Sequence, residues 1–341
     1  FAGNGFAMPE GEDPRQFIDT GDDQLKLNRS FPIAARFDLY GIAEDQTDVS
    51  NDLRVPYGVK LLSGGTVAPN VGYYFYFYMS ERGEVAGIED AYLHFNDLGG
   101  TTFDIMVGQF QTSDPLMKRE LRLTYEDYEI YKHRIGASPN NLAYDRGVVV
   151  TYDVAPTGTG LVGMVVNGNG KTQAGEGSVE GKFDDDKYKN YAARASQPLF
   201  GLAQVGYFFY YGEESYESVD FAPNFYKNRI RYHGPDLVLG NGMFDLTAQY
   251  LLRWDTNPDF TTRASEVQTA GVVAELVISP QRDRSRLYGT LLFNWIESDH
   301  GRAAGHPGVV YETYTASLTY LFARNLRGTL EYTYDDVDGV S

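Results

Sequence analysis

The chain has 341 residues, of which 42% are hydrophobic and 14% aromatic, and its formal net charge is -18. The aromatic content excludes an intrinsically disordered chain, and the acidic balance excludes a nucleic-acid partner, which would require a basic face. The chain has no cysteine, so disulfides, thiolate metal sites and covalently attached haem are excluded within it, and no cofactor is expected.

The first segment, residues 1–31, is predicted to be an N-terminal extension that is periplasmic or associated with a pore. Residue 1 is phenylalanine rather than methionine, so we expect a leader or another segment to precede it. No uncharged apolar run reaches the roughly 18 residues that a transmembrane helix needs.

From residue 32 onward, apolar and polar residues alternate over segments of about ten residues. Leu287, Leu291 and Trp295, for example, alternate with Thr290 and Asn294. Because successive strand residues point to opposite faces, each such segment is predicted to be a strand with one apolar and one polar face. The pattern predicts about fifteen strands: 32–43, 53–63, 70–80, 87–97, 101–111, 144–154, 160–168, 187–198, 201–212, 223–233, 242–254, 266–279, 285–297, 309–322 and 325–335.

The predicted connections are mostly short at one end of the strands and long at the other. This asymmetry, with strands long enough to cross a bilayer, is typical of transmembrane barrels. A propeller or sandwich would pack apolar faces together and repeat a motif, and no such repeat is found. We therefore predict an all-β transmembrane antiparallel β-barrel over 32–341, with about 16 strands (14–18 in range). A closing strand is expected beyond residue 341 or from the first thirty residues.

The polar faces of such a barrel would line a water-filled pore. The candidate pore-lining and selectivity residues are cations: Arg36, Arg54, Lys60, Arg194, Lys227, Arg229, Arg231, Arg253, Arg286 and Arg327. Lys227, Arg229 and Arg231 alternate along one predicted strand, and such a row in a pore would attract anions. The alternative is that these cations pair with carboxylates of the wall and hold the barrel in shape.

The long connection 112–143 is the second candidate site. A loop of this length in a compact fold is usually functional, and Tyr125, Tyr128 and Tyr131 recur at the spacing of a helical turn. We predict that it folds inward and narrows the pore; the alternative is an external lid or partner surface. Its candidate constriction residues are charged: Lys118, Arg119, Arg122, Glu126, Asp127, Lys132 and Arg134.

Val107-Gly108-Gln109-Phe110, followed by a charged and Tyr-rich insert, resembles the phosphate-selective porin O and P family and general outer-membrane porins. The resemblance implies a channel in which lumen arginines and lysines bind anions. The opening Phe1-Ala2-Gly3-Asn4-Gly5-Phe6-Ala7-Met8-Pro9 is similar to the segment after the haem-attachment motif of some cytochrome–porin fusion proteins. This second resemblance implies a haem region upstream.

The expected function is passive diffusion of small hydrophilic solutes or ions through the outer membrane of a Gram-negative-type bacterium, with a bias toward anions. The expected partners are outer-membrane lipid and two further copies of the chain, in a homotrimer. One alternative is a barrel that sheathes or anchors a partner such as a cytochrome or surface complex. The other is an outer-membrane lipid hydrolase, although no catalytic or metal residues could be assigned and an enzyme is not expected.

Overall fold

The computed structural model describes seventeen strands, separated by turns and loops. It describes residues 17–18, 27–28, 32–45, 50–68, 70–81, 84–85, 87–170, 182–184, 186–217, 225–262, 264–301, 308–323 and 325–338. The strands are β1 (Phe17–Ile18), β2 (Leu27–Asn28), β3 (Ile33–Ala43), β4 (Asn51–Ala68), β5 (Val71–Glu81), β6 (Gly87–Phe95), β7 (Phe103–Phe110), β8 (Asp145–Val154), β9 (Thr159–Val166), β10 (Asn190–Leu199), β11 (Ala203–Glu217), β12 (Phe225–Gly240), β13 (Phe244–Asp255), β14 (Val267–Ile278), β15 (Leu287–Ser298), β16 (Val309–Ala323) and β17 (Leu326–Asp338).

Strands β3 to β17 belong to one 15-stranded sheet whose hydrogen-bonded neighbours follow chain order. The prediction of about fifteen antiparallel strands is confirmed. Strands β1 and β2 pair with each other, while most of the predicted extension 1–31 lies outside the described residues. The chain divides into two compact units, one of 1–110 with 147–150 and the other of 111–146 with 151–341.

Helical structure is scarce in the described part of the chain. It comprises the one-turn helix α1 (Glu129–Lys132) and three short 3-10 turns at Leu98–Gly100, Arg119–Leu121 and Arg282–Arg284. Among the residues that the structure describes, no helix is long and apolar enough to cross a membrane.

The sheet buries polar side chains and exposes apolar ones, which is the reverse of a water-soluble protein. In β16, Thr313 and Thr319 are each 1% exposed, whereas Tyr314 and Leu318 are each 51% exposed. In β15, Asn294 is buried and Leu291 is exposed. Since alternate strand residues point to opposite faces, the sheet has an apolar face turned outward and a polar face that carries the buried groups.

The chief differences from the predicted strands are in β4 and β12, which are longer than expected. Strand β4 spans Asn51–Ala68 rather than 53–63, and β12 spans Phe225–Gly240 rather than 223–233. Gly234-Pro235 was expected to begin a turn, yet β12 continues to Gly240. A Cβ placed on Gly234 would lie 1.8 Å from the carbonyl oxygen of Tyr250, so glycine is needed for close approach of β13 rather than for a turn. The proline falls where the β12–β13 pairing is interrupted, between His233 and Asp236, which is where a strand tolerates a missing N–H.

Candidate functional site

The long loop between β7 and β8, residues 111–144, is the centre of the candidate site. Within the unit of 111–146 and 151–341, it lies against the polar face of the strands between β10 and β17. Many of its side chains are buried, including Tyr128, Ile130, Tyr131 and Leu142. The loop is therefore packed against the sheet, and we refer to it below as the docked loop.

The middle of the docked loop is held by hydrogen bonds to β13, β14, β15 and β17. The hydroxyl of Tyr128 donates to Glu275 at 2.8 Å, and that of Tyr131 donates to Gln249 at 2.6 Å. The side-chain amide of Asn294 donates to the carbonyl of Asp127 at 2.9 Å and accepts from the N–H of Glu129 at 3.2 Å. Glu331 accepts two further backbone N–H groups of the loop, at 2.6 and 2.9 Å.

Two buried arginines hold the beginning and the end of the docked loop. Arg194 on β10 makes a bidentate contact to Asp236 at 2.7 and 2.8 Å and donates to the carbonyl of Pro115 at 3.2 Å. Arg253 on β13 binds Asp255 in the same way, at 2.6 and 2.9 Å. It also donates to the carbonyl of Asn140 at 3.1 Å. Both predicted pore cations lie on the polar face, where each pairs with a wall carboxylate and anchors the loop.

The charged residues of the docked loop gather around Asp127. Arg119 contacts this carboxylate at 3.0 and 2.5 Å, Arg122 at 3.7 Å and Lys132 at 3.6 Å. Lys132 also contacts Glu129. Burial alone would raise the pKa of Asp127, but the attraction of Arg122 and Arg119 outweighs it and holds that pKa well below its usual range. We call these four residues and Glu129 the Asp127 cluster.

The other predicted constriction residues lie around this cluster. Lys118 pairs with Asp114 at 3.0 Å, and Glu126 accepts a hydrogen bond from the hydroxyl of Tyr311 at 2.7 Å. Burial raises the pKa of Glu126. Arg134 is exposed. Their role in selectivity stays a prediction.

In the other unit, the predicted wall cations also pair with carboxylates. Asp38 accepts from Arg36 at 2.8 Å and lies 2.6 Å from the ammonium group of Lys60. Arg54 pairs with Asp52 at 2.6 Å. Arg36, Arg54 and Lys60 alternate with exposed apolar residues of β3 and β4, so they share the polar face of their strands.

The placement of Lys227, Arg229 and Arg231 does not agree with a pore-lining role. They lie on the exposed face of β12, which also carries Leu239, whereas Asn228, Tyr232 and Asp236 occupy its buried face. Because β12 continues through Gly234-Pro235, these three cations fall on the same face of the strand as its exposed apolar residues. Arg286, next to β15, and Arg327, on β17, are exposed. Both fall on the same face of the chain as the polar residues of those strands.

Apart from Arg194 and Arg253, the residues that anchor the docked loop were not predicted as site residues. They include Gln249, Asn294, Asp236, Asp255 and Asn140, four of which come from the polar positions of strands far along the chain. The alternation placed the strand residues on the correct face. It carried no signal for which of them would meet the loop, because that depends on how the loop folds back.

These features define the class of the molecule, which is a transmembrane antiparallel β-barrel with one apolar and one polar face. Solved structures of this class resemble it. OmpT, an in-vitro folded outer membrane protein of Vibrio cholerae in its trimer form, has a TM-score of 0.54 at 14% identity, over 89% of each chain.

Two further barrels match over similar lengths. The anion-selective porin from Comamonas acidovorans has a TM-score of 0.53 at 8% identity, covering 89% of this chain and 90% of that one. Salmonella typhi OmpF, in a complex with daunomycin, has a TM-score of 0.53 at 12% identity, covering 89% of this chain and 88% of that one. No protein-family model matches the sequence, and no curated protein matches it.

The expected likeness to porins is confirmed at the level of the fold. The narrower likeness to the porin O and P family stays a prediction. The segment Phe1–Pro9, on which the likeness to cytochrome–porin fusion proteins depends, lies outside the described residues.

Proposed function

We propose that the protein is a passive diffusion channel for small hydrophilic solutes or ions in the outer membrane of a Gram-negative-type bacterium. The observation that carries this proposal is the inverted polarity of the sheet, because a barrel with apolar residues outside and polar residues inside encloses water within lipid. The solute moves down its own gradient, so no catalytic residue or cofactor is needed.

The docked loop is proposed to be the constriction of this channel. Its hydrogen bonds reach polar-face residues on every strand from β10 to β17, and these residues include Arg194, Gln249, Arg253, Asn294 and Glu331. A segment held at so many points narrows the opening by a fixed amount. We therefore expect it to set the size of solute that passes.

The proposed ion preference is a weak one for anions. Residues 111–144 contain five basic and five acidic side chains, so the loop as a whole adds no net charge. Within the Asp127 cluster, however, the three cations Arg119, Arg122 and Lys132 pair with the two carboxylates of Asp127 and Glu129. The cluster itself therefore contains three positive and two negative side chains, at the place where the loop meets the wall.

Conductance across planar bilayers tests the channel and its preference together. Reconstituted protein should give stepwise conductance. Under a salt gradient, the sign of its reversal potential should show that anions are more permeant than cations. Arg122→Gln should move that potential toward cations, since it removes one of the three positive charges of the cluster. Arg231→Gln is the matched control and should leave it unchanged, because Arg231 lies on the outer face. Absence of conductance steps from folded protein would refute the proposal.

A trimer is the proposed assembly. The solved OmpT structure is described as a trimer form, and the outer face of this chain carries large exposed residues such as Phe37 (67%) and Leu53 (83%). Native mass spectrometry of the detergent-extracted protein tests this directly. A single species at the mass of one chain would contradict it.

A further inference from the structure

The exposed face of β12 changes its chemistry in a fixed order along the strand. Leu237 and Leu239 come at one end, His233 follows, and Arg231, Arg229 and Lys227 occupy the other end on the same face. At about 3.4 Å per residue, Arg231 stands about 7 Å beyond His233 along the strand and Lys227 about 20 Å. The face therefore passes from apolar to aromatic to cationic.

His233 is the middle of an aromatic stack on this face. Its ring centroid lies 4.9 Å from that of Trp254 and 5.9 Å from that of Tyr207, with nearly parallel planes. The Tyr207 hydroxyl lies 2.6 Å from Nδ1 of His233. Such amphipathic rings gather at the level of lipid headgroups in membrane barrels, so the stack marks the boundary between the acyl chains and the headgroups.

The cations beyond this boundary carry an excess of positive charge. Lys227 and Arg229 share one carboxylate, Glu213, at 2.9 and 3.2 Å. Arg231 lies between Tyr211 and Trp254 in the strand register, and among the described residues no carboxylate is within ion-pair distance of it. Among the described side chains, these three cations therefore have one carboxylate between them, which gives a positive patch on the outer surface of a chain whose net charge is -18.

We propose that Lys227, Arg229 and Arg231 form a docking site for the phosphate-bearing headgroup of a lipid of the surrounding leaflet. This inference rests on the proposed location in the outer membrane. Two arginines on one face offer the paired N–H donors that match a phosphate. The acyl chains of the same lipid would lie along the apolar part of the face, over Leu237, Leu239 and the exposed Phe209.

The probe is bisphosphorylated lipid A, added to the purified protein in zwitterionic detergent micelles and read by native mass spectrometry and Trp fluorescence. The native chain should bind it more tightly than lipid A whose phosphates have been removed. The double variant Arg229→Gln with Arg231→Gln should bind it at least about tenfold more weakly. Arg284→Gln removes an exposed cation from the turn between β14 and β15 and should have no effect.

Three results would overturn the proposal. These are equal binding by the double variant, equal binding of the dephosphorylated lipid, and displacement of the lipid by an equal concentration of inorganic phosphate, which would indicate a site for free anions. Conductance of the same samples separates this inference from the proposed function. Selective lipid binding without conductance steps would refute the channel and leave the lipid site standing.

Discussion

Among single residues of the docked loop, Asp127 is the carboxylate that three cations contact. Its carboxylate is buried and partly neutralises the charge of each of these cations. Its backbone carbonyl also accepts a hydrogen bond from the side-chain amide of Asn294 on β15. Because its pKa is lowered by Arg122 and Arg119, its contribution to stability is present above the unfolded pKa of about 3.9. That contribution is lost as the pH falls below this value.

Asp127→Asn is expected to destabilise the docked loop strongly. The substitution leaves Arg119, Arg122 and Lys132 around a neutral amide, and breaking a buried ion pair costs about 3 kcal/mol. Thermal unfolding of the detergent-solubilised barrel measures the loss. Asp52→Asn is the matched control, since Asp52 and Arg54 form a pair that is 43% and 32% exposed and such pairs contribute less than about 1 kcal/mol. Equal losses from the two variants would contradict the role given to Asp127.

His133 is predicted to make the docked loop sensitive to acid. Burial, with the nearby Arg253 and His300, lowers the pKa of His133 from 6.5 to about 4. In this interval the unfolded state binds a proton that the folded state does not, so stability should fall as the pH is lowered from about 6.5 toward about 4. His133→Gln should reduce this slope in unfolding curves, while Arg134→Gln should not. An unchanged slope in His133→Gln would show that other groups set the acid response.

At the scale of residues, the sequence predicted the face of most polar side chains of the strands but not the groups that they contact. Arg194 and Arg253 were expected on the polar face, where they lie, because the period of a strand fixes the face. Their roles as anchors of Pro115 and Asn140 depend on contacts between distant parts of the chain, which the alternation does not encode. Lys227, Arg229 and Arg231 were assigned to the lumen because charge was assumed to point inward.

At the scale of elements, the error in β12 explains the error in those three cations. Gly234-Pro235 resembles a turn, and ending the strand there hides the fact that Leu237 and Leu239 share the face of Arg231. With the strand continued to Gly240, the same alternation places the cations outside. Apart from β4 and β11, which each end five residues later than predicted, the remaining strands could be predicted within a few residues, since Thr, Ser and Asn alternate regularly with Leu, Phe and Tyr.

Gly234→Ala is expected to disturb the β12–β13 pairing. The added methyl group would meet the backbone oxygen of Tyr250 at 1.8 Å, and overpacking of this kind costs about 1–3 kcal/mol. Refolding yield and thermal unfolding measure the effect. Gly289→Ala in β15 is the matched control, because the nearest atom to its added methyl group is Ile278 Cβ at 3.7 Å. A variant at position 234 as stable as that control would contradict the close approach.

For the whole molecule, the order of the strands in the sheet and the alternation of polar and apolar residues both follow directly from the sequence. Each strand from β3 to β17 pairs with its neighbours in sequence, so the fold needs only local antiparallel pairing and the alternation of two faces. That is why the class of fold could be predicted from the sequence alone. The path of residues 111–144 is less strongly determined by the sequence, since its length and Tyr spacing favour an inward loop but leave an external lid as the alternative.

The central claim is that the docked loop lies within a water-filled passage and narrows it. The most direct test is single-channel conductance of the native protein and of a variant in which residues 118–137 are replaced by a short Gly-Ser linker, with folding checked by circular dichroism. Conductance steps are expected from both proteins, with clearly larger steps and passage of larger solutes in the shortened variant. Equal step sizes from two folded proteins would contradict the claim.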